Sequence, residues 1–157
     1  GRLEADHCTF SNNFPGARST PSVGLFNRYD DGTGTFRYRG LLQADFRNCI
    51  VDGGQESEIG FGYGSQAAFN YRFEGSLLKL NRFPSTAVYD VNDPARCGGC
   101  LFNSPVLFES ATEYDYRLKL GSAALGIGWP GATGLVPIDA LGQVRPIPAD
   151  AGAIETP

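Results

Sequence analysis

Residues 105–128 read PVLFESATEYDYRLKLGSAALGIG, and residues 137–155 read PIDALGQVRPIPADAGAIE. Each stretch consists of short apolar runs followed by turns, with glycine where the backbone must bend. This alternation predicts the closing coils of a right-handed parallel β-helix, in which each coil contributes about three short strands. We therefore expect an all-β chain that forms a single β-helix domain over residues 1–157, with a C-terminal loop cap at residues 129–157.

The composition agrees with many short elements joined by tight turns. The 157 residues include 21 glycines and 10 prolines, and 41% of them are apolar, which is enough for one globular core. The net charge is −4 and the arginines are scattered, whereas binding to nucleic acid phosphates draws on clustered Lys and Arg. No apolar run approaches the ~20 residues of a membrane span. We therefore expect neither a nucleic acid partner nor a membrane span.

One local pattern recurs along the first hundred residues: polar residues, then a small residue or Cys, then two or three apolar residues and a turn. The small residue of each copy is Cys8, Cys49, Ser76 and Cys100, at spacings of 41, 27 and 24 residues. Intervals in the twenties suit one coil of a solenoid, in which equivalent residues lie about 4.8 Å apart on neighbouring strands. The longer first interval predicts an insertion at residues 14–40.

A β-hairpin is predicted inside this insertion. The segments LFNRY (25–29) and TFRYR (35–39) flank the loop DDGTG (30–34), which is a typical hairpin pattern. Aromatic faces beside planar guanidinium groups suit the stacking of sugar rings or a protein partner. The alternative is that one face packs on the rod while the arginines stay solvated. The candidate ligand-binding residues are Phe26, Arg28, Tyr29, Phe36, Arg37, Tyr38 and Arg39.

The four cysteines are candidates for disulfides. Cys97 and Cys100 form a CGGC motif, which is typical of a disulfide, a redox dithiol or half of a zinc site. Cys8 and Cys49 occupy the same register position, so they form either a bridge between coils or a pair of buried thiols. Disulfides would place the chain in an oxidising, extracellular compartment.

The sequence offers little for catalysis or metal binding. His7 is the only histidine, and nothing nearby would align it as a base for a nucleophile, so we assign no catalytic residue. Asp90, Asn92 and Asp93 place oxygen ligands at nearly alternating positions, which makes them weak candidates for Ca²⁺. Turn formation explains the same residues more simply. We expect no other cofactor.

The C-terminal half resembles bacterial right-handed β-helix repeat proteins, which occur among secreted and surface proteins of Bacteroidota. Departures from the family pattern are Ala123 in place of its usual Pro and Gly126 in place of its usual Asp. The resemblance implies a secreted or cell-surface β-helix, and its closing motif carries no enzymatic activity. The matching segments are PVLF (105–108), YDYRL (114–118), GSAALGIG (121–128), DALGQVR (139–145) and DAGAIE (150–155).

Two functions follow from these expectations. The first is a non-catalytic structural or adhesive solenoid of an extracellular bacterial surface or matrix protein, with glycans as candidate ligands. Its N-terminal end, residues 1–6, has no predicted cover, so another copy or a longer N-terminal solenoid is expected to stack there, head to tail, into a filament. The alternative is a polysaccharide-active, lyase-like enzyme or a carbohydrate-binding module.

Two further contacts are predicted near the C-terminus. Trp129 lies between glycine and proline beyond the last regular strand, so we expect it to cover the end of the apolar core. Arg145 is expected to pair with Asp139 or Asp150 and so to hold the closing loop in place.

Overall fold

The structure is a computed structural model that describes residues 1–13, 16–81 and 88–157. Residues 14 and 15 of the predicted insertion, and residues 82–87, lie outside the described residues. A turn of 3-10 helix (Ala111–Glu113) and a short helix α1 (Pro130–Leu135) accompany the strands. The strands are β1 Arg2–Asp6, β2 Thr9–Asn12, β3 Val23–Phe26, β4 Arg28–Asp30, β5 Phe36–Tyr38, β6 Gln43–Arg47, β7 Ile50–Gly53, β8 Ile59–Gly62, β9 Arg72–Glu74, β10 Leu77–Leu78, β11 Cys97–Gly98, β12 Leu101–Phe102, β13 Phe108–Ser110 and β14 Asp115–Leu118.

The strands form several small sheets. Sheet 1 has the order β1-β6-β9-β11 and sheet 2 has the order β2-β7-β10-β12, and all neighbours in both are parallel. Sheet 3 consists of β3 and β8, also parallel. The pairs β4–β5 and β13–β14 are antiparallel. The chain passes from sheet 1 to sheet 2 in four successive passes, each through a corner of two residues.

These corners share one backbone conformation. The first residue of each corner, namely His7, Asn48, Gly75 and Gly99, has φ between 50° and 63°. Glycine and asparagine adopt this left-handed conformation most readily, which explains three of the four residues. The second residue is Cys8, Cys49, Ser76 or Cys100, and the strands that follow pair Thr9 with Ile50 and Leu77 with both Ile50 and Leu101. The register predicted from the sequence is confirmed.

The prediction of a single right-handed parallel β-helix is nevertheless wrong. The described strands fall into five small sheets, none of them closed, and they do not form one solenoid. The parallel order ends at β12, and from residue 105 onward the chain forms the antiparallel pair β13–β14. A 3-10 turn followed by Tyr114 in the left-handed conformation (φ 62°) reverses the chain between these two strands.

The apolar residues after residue 105 serve a second core instead of closing coils. The first core consists of buried apolar residues of sheets 1, 2 and 3, among them Phe46 and Phe73. Alternate residues of a strand point to opposite faces, so Val51 and Leu78 of sheet 2 face this first core, and Ile50 and Leu77 face away from it. Phe108, Leu118, Ala124 and Ala151 pack against that outer face. The pattern of short apolar runs and turns fits both arrangements, and for this reason the sequence alone suggested further coils.

The segment 129–157 lies against the corners between sheets 1 and 2. The side chain of Asn48 accepts a hydrogen bond from the Trp129 nitrogen (2.6 Å) and donates one to the Trp129 oxygen (3.0 Å). The backbone oxygen of Asn48 accepts a hydrogen bond from the backbone N–H of Gly152 at 2.8 Å. Trp129 remains partly exposed, and its predicted role as a cover for the end of the core stays a prediction.

A buried polar cluster holds the same segment together. Arg145 pairs with Glu155, and not with Asp139 or Asp150 as the sequence suggested. Both side chains are almost fully buried, and Glu155 also accepts the backbone N–H of Asp150 at 2.9 Å. Asp139 accepts the backbone N–H groups of three residues, and Asp150 those of two. The closing loop is therefore fixed by carboxylates that bind backbone amides.

The strands β1, β2 and β3 lie at the edges of their sheets. An edge strand presents unpaired N–H and C=O groups to a partner, so association through this side stays a prediction. No helix in the described part of the chain has the length and apolar character to cross a membrane.

Candidate functional site

The predicted hairpin is present, although its root differs from the prediction. β4 and β5 pair antiparallel, with Arg28 opposite Tyr38 and Tyr29 opposite Arg37. Residues 23–26 do not belong to this hairpin, because β3 pairs parallel with β8 in sheet 3. We call residues 26–39, with their rings and guanidinium groups, the aromatic ribbon.

Asn27 fixes the root of the aromatic ribbon. Its buried side chain donates hydrogen bonds to the oxygens of Gly64 and Ala67, both at 2.8 Å, and accepts one from the Gly64 nitrogen at 2.7 Å. Its backbone oxygen accepts the N–H of Arg39 at 2.9 Å. These bonds leave the amide fully paired inside the protein, so the chain leaves sheet 3 in one fixed direction.

Two rings of the ribbon lie on glycine. A side chain at Gly24 or Gly62 would come within 2.3 Å or 2.1 Å of the Phe26 ring, and one at Gly64 within 2.3 Å of the Tyr38 ring. Glycine is needed at these positions because the rings approach the backbone of sheet 3 and the segment after it so closely. The Phe26 and Tyr38 rings therefore lie against backbone on one side and remain partly exposed.

Stacked pairs of rings and guanidinium groups occur on both faces of the ribbon. The Arg28 guanidinium lies 4.6 Å from the centre of the Phe36 ring, and that of Arg39 lies 5.3 Å from the centre of the Tyr29 ring. These distances are within the range of a cation–π interaction. Arg37 is instead bound by its ion pair to Asp31, at 2.8 Å. Among the described residues, no carboxylate lies within salt-bridge distance of Arg28 or Arg39.

The ribbon therefore exposes both apolar and cationic surface. Phe26, Tyr29, Phe36 and Tyr38 each keep between 37% and 54% of their surface exposed. An isolated two-stranded hairpin is marginally stable at best in water, and this hairpin is held by Asn27 and the glycine contacts. The ribbon consequently presents half-exposed rings on a fixed base. Ligand binding by the ribbon, and the alternative in which one face only packs on the body of the protein, both stay predictions.

Glu58 anchors the segment that leads into sheet 3, and sequence analysis did not identify it. Its fully buried carboxylate accepts hydrogen bonds from the Arg18 guanidinium at 2.5 and 3.0 Å, from the Ser22 nitrogen and hydroxyl at 2.9 and 2.8 Å, and from the Gln55 nitrogen at 2.8 Å. Burial alone would raise the pKa of Glu58, but these hydrogen bonds outweigh it and leave the pKa below its usual value.

The lowered pKa of Glu58 predicts a loss of stability in acid. A carboxyl group with a lower pKa in the folded state stabilises the fold above its unfolded-state pKa, and this contribution disappears as the pH falls through the folded-state pKa. We expect the free energy of unfolding to decrease when the pH is lowered beyond about 4.5. We also expect Glu58→Gln to be less stable at pH 7 and to depend less on pH. Denaturant titrations between pH 3 and pH 7 would measure both effects, and parallel pH profiles for the two proteins would contradict the assignment.

The four cysteines divide into two pairs. Cys97 and Cys100 form a disulfide across the fourth corner, with Cα atoms 5.9 Å apart, which confirms the disulfide prediction for this pair. Cys8 and Cys49 are free thiols in the structure, so no bridge joins them in this state. Cys49 is fully buried and Cys8 is partly buried.

The calcium candidates take part in turns. Asp90 accepts the backbone N–H of Asn92 at 2.9 Å, and Asp93 accepts that of Ala95 at 2.9 Å. Side-chain bonds to a backbone N–H two residues ahead are typical of Asx turns. No group of three metal-binding side chains occurs in residues 1–13, 16–81 and 88–157. The calcium assignment stays a prediction, and the turn explains the spacing.

A charged face on sheet 1 forms a second surface feature. Asp45, Arg47, Arg72, Glu74 and Trp129 line a shallow cavity of about 260 Å³. Its cationic groups are already paired, because Arg47 binds Glu4 and Asp6 and Arg72 binds Glu74. The lyase-like alternative needs a basic residue able to take a proton, and each arginine here is held by carboxylates. That alternative stays a prediction without further support.

Comparison of the chain with protein-family models, with curated proteins and with solved structures found no match. The resemblance to bacterial β-helix repeat proteins therefore stays a prediction from the sequence motifs.

Proposed function

We propose that this chain is a non-catalytic adhesive module that binds carboxylated saccharides through the aromatic ribbon, as part of an extracellular bacterial surface or matrix protein. The observation that carries the proposal is the set of exposed rings on a fixed base beside the guanidinium groups of Arg28 and Arg39. The Cys97–Cys100 disulfide supports an oxidising compartment. The bacterial source rests on the sequence resemblance alone.

The chemistry of the ribbon favours sugars that carry a carboxylate. A sugar ring presents an apolar face of C–H groups, which packs on a flat aromatic ring whose position is already fixed. A guanidinium that lies over a ring keeps its N–H edge available, and its planar fork binds a carboxylate through two parallel hydrogen bonds. Arg28 and Arg39 combine both features, since each lies over a ring and has no carboxylate partner among the described residues.

Saccharide binding is expected to depend on the rings. In calorimetric titrations with uronic-acid and neutral oligosaccharides, we expect the wild-type protein to bind the uronic-acid compounds more tightly. The double variant Tyr29→Ala/Tyr38→Ala should weaken this binding at least tenfold, which corresponds to about 1.4 kcal/mol. The gain from the carboxylate should shrink as the salt concentration rises, because exposed charges are screened.

Tyr114→Ala is the matched control for this experiment. Tyr114 is 81% exposed and lies in the reversal between β13 and β14, which is not part of the ribbon. It should bind the saccharides as the wild-type protein does. Equal binding by the double variant and the wild-type protein would contradict the proposed site. A wild-type protein that binds no member of a broad saccharide panel would contradict the proposed function itself.

A further inference from the structure

The two free thiols lie side by side at neighbouring corners. Asp6 pairs with Arg47 before the corner, and Thr9 pairs with Ile50 after it, so Cys8 and Cys49 are in register on adjacent parallel passes. Neighbouring strands are about 4.8 Å apart, a separation at which a disulfide can form. The Cys8 thiol donates a hydrogen bond to the backbone oxygen of Asp6 at 3.4 Å, and the Cys49 thiol reaches across to the backbone oxygen of Ala5, on the pass that carries Cys8, at 3.3 Å.

The two thiols differ in access and in acidity. Cys49 lies inside the first core. Cys8 belongs to the outermost pass, whose strands β1 and β2 lie at the edges of sheets 1 and 2, and it is partly exposed. The neighbouring Cys49 thiol can donate a hydrogen bond to a thiolate at Cys8, and this lowers the pKa of Cys8 to about 7. The same contact, together with burial, raises the pKa of Cys49. At neutral pH, Cys8 is therefore the reactive thiolate of the pair.

We propose that Cys8 and Cys49 are a redox modification site, in which Cys8 is the attacking thiol, Cys49 is the resolving thiol, and the oxidant is a small-molecule disulfide. In the first step the Cys8 Sγ attacks one sulfur of the small disulfide. The S–S bond of the oxidant breaks, a mixed disulfide forms on Cys8, and one small thiolate leaves. Cys49 is too buried to react with the oxidant directly.

In the second step Cys49 closes the protein disulfide. Formation of the mixed disulfide removes the thiolate of Cys8, and with it the main cause of the raised pKa of Cys49. Cys49 then gives its proton to the released thiolate, and its Sγ attacks the Sγ of Cys8. The second small thiolate leaves and takes a proton from water. The protein thiols lose two electrons and two protons, and the small disulfide is reduced to two thiols.

The new bond would enclose the segment that carries the aromatic ribbon. Residues 9–48 lie between the two cysteines and include β2 to β6. The two strands of the ribbon, β4 and β5, are among them. Closing this loop restricts the unfolded chain and so stabilises the outermost pass against opening. Oxidation is therefore expected to raise the thermal stability of the region that supports the ribbon, without adding a contact to the ribbon itself.

Intact-protein mass spectrometry with oxidised glutathione tests the proposal. The wild-type protein should lose the mass of two hydrogens without forming a disulfide between two copies, and the Cys97–Cys100 disulfide should be unchanged on peptide mapping. Cys49→Ser should instead accumulate one stable glutathione adduct on Cys8, and Cys8→Ser should not react while it is folded. The rate of adduct formation should rise about tenfold per pH unit below pH 7 and level off above it.

Other outcomes would overturn the proposal. These are wild-type protein that keeps two alkylatable thiols after prolonged exposure, glutathione retained on the wild-type protein, and dimers linked through Cys8. A Cys49→Ser protein that unfolds does not decide the matter by itself. In that case the wild-type pH profile remains as a test, and a rate that keeps rising up to pH 9, as for an ordinary thiol, would contradict the role of Cys8.

Discussion

Replacement of Phe46 by Ala is expected to lower the free energy of unfolding by about 3–5 kcal/mol. Phe46 is fully buried in β6, at the centre of the first core. Its ring stacks on that of Phe73, with centroids 5.1 Å apart, and forms a T-shaped pair with the Phe10 ring, with centroids 5.9 Å apart. These three rings come from three successive passes, so the substitution removes apolar contacts between neighbouring strands and leaves a cavity that the rigid sheets cannot fill.

Denaturant unfolding measures this effect, and Phe36→Ala is the matched control. Phe36 is the same residue type but lies exposed on the ribbon, where it contacts the Arg28 guanidinium. Its replacement should cost less than about 1 kcal/mol. Similar losses for the two variants would show that Phe46 does not lie in a close-packed core.

Replacement of Glu155 by Ala is expected to destabilise the protein by a similar amount, about 3–5 kcal/mol. The substitution leaves the Arg145 guanidinium buried without its carboxylate partner. It also leaves the backbone N–H of Asp150 without its acceptor. A buried charge that loses its partner keeps the full cost of its removal from water, so the loss greatly exceeds the value of an exposed ion pair.

The double variant Arg145→Met/Glu155→Leu separates this cost from a general effect of altering the C-terminal segment. Removal of both charges avoids the unpaired guanidinium, so the double variant should be much closer to the wild-type protein than Glu155→Ala is. Thermal and denaturant unfolding of Arg145→Met, Glu155→Leu and the double variant give the coupling energy. Additive losses would contradict the buried pair.

The register of the strands in the first hundred residues could be predicted from sequence because every corner requires the same types of residue. Each pass requires a residue that tolerates positive φ, then a small inward residue, then apolar residues for the two faces of sheet 2. This requirement produces the spacing of Cys8, Cys49, Ser76 and Cys100. No repeated pattern in the sequence indicates the handedness, whether the sheets close, or where the parallel order ends.

The C-terminal third was misinterpreted because apolar periodicity does not say which surface a segment covers. Phe108 and Leu118 face the outside of sheet 2 in an antiparallel pair, although each would suit an inward position of a parallel coil. The deciding residue is Tyr114, whose left-handed conformation reverses the chain. Tyrosine is uncommon in that conformation, so the sequence gives little warning of the reversal.

The aromatic ribbon could be predicted as a hairpin, but its supports could not. Alternating rings and arginines around a glycine-containing loop are a local pattern, visible without any tertiary contact. Asn27 and Glu58 act through partners about 40 residues away or through backbone groups, and no local signal distinguishes them from ordinary loop residues. Glycine recurs at every second residue in Gly60, Gly62 and Gly64, and this alternation is consistent with rings that lie against the backbone there.

The most direct test of the binding surface is an NMR titration of ¹⁵N-labelled protein with a uronic-acid oligosaccharide. We expect the amide shifts to change in residues 26–39 and in the backbone beneath them around Gly62 and Gly64, and to remain constant around Trp129 and Glu74. Changes confined to the charged face of sheet 1, or an unchanged spectrum at saturating saccharide, would contradict the ribbon as the ligand-binding surface.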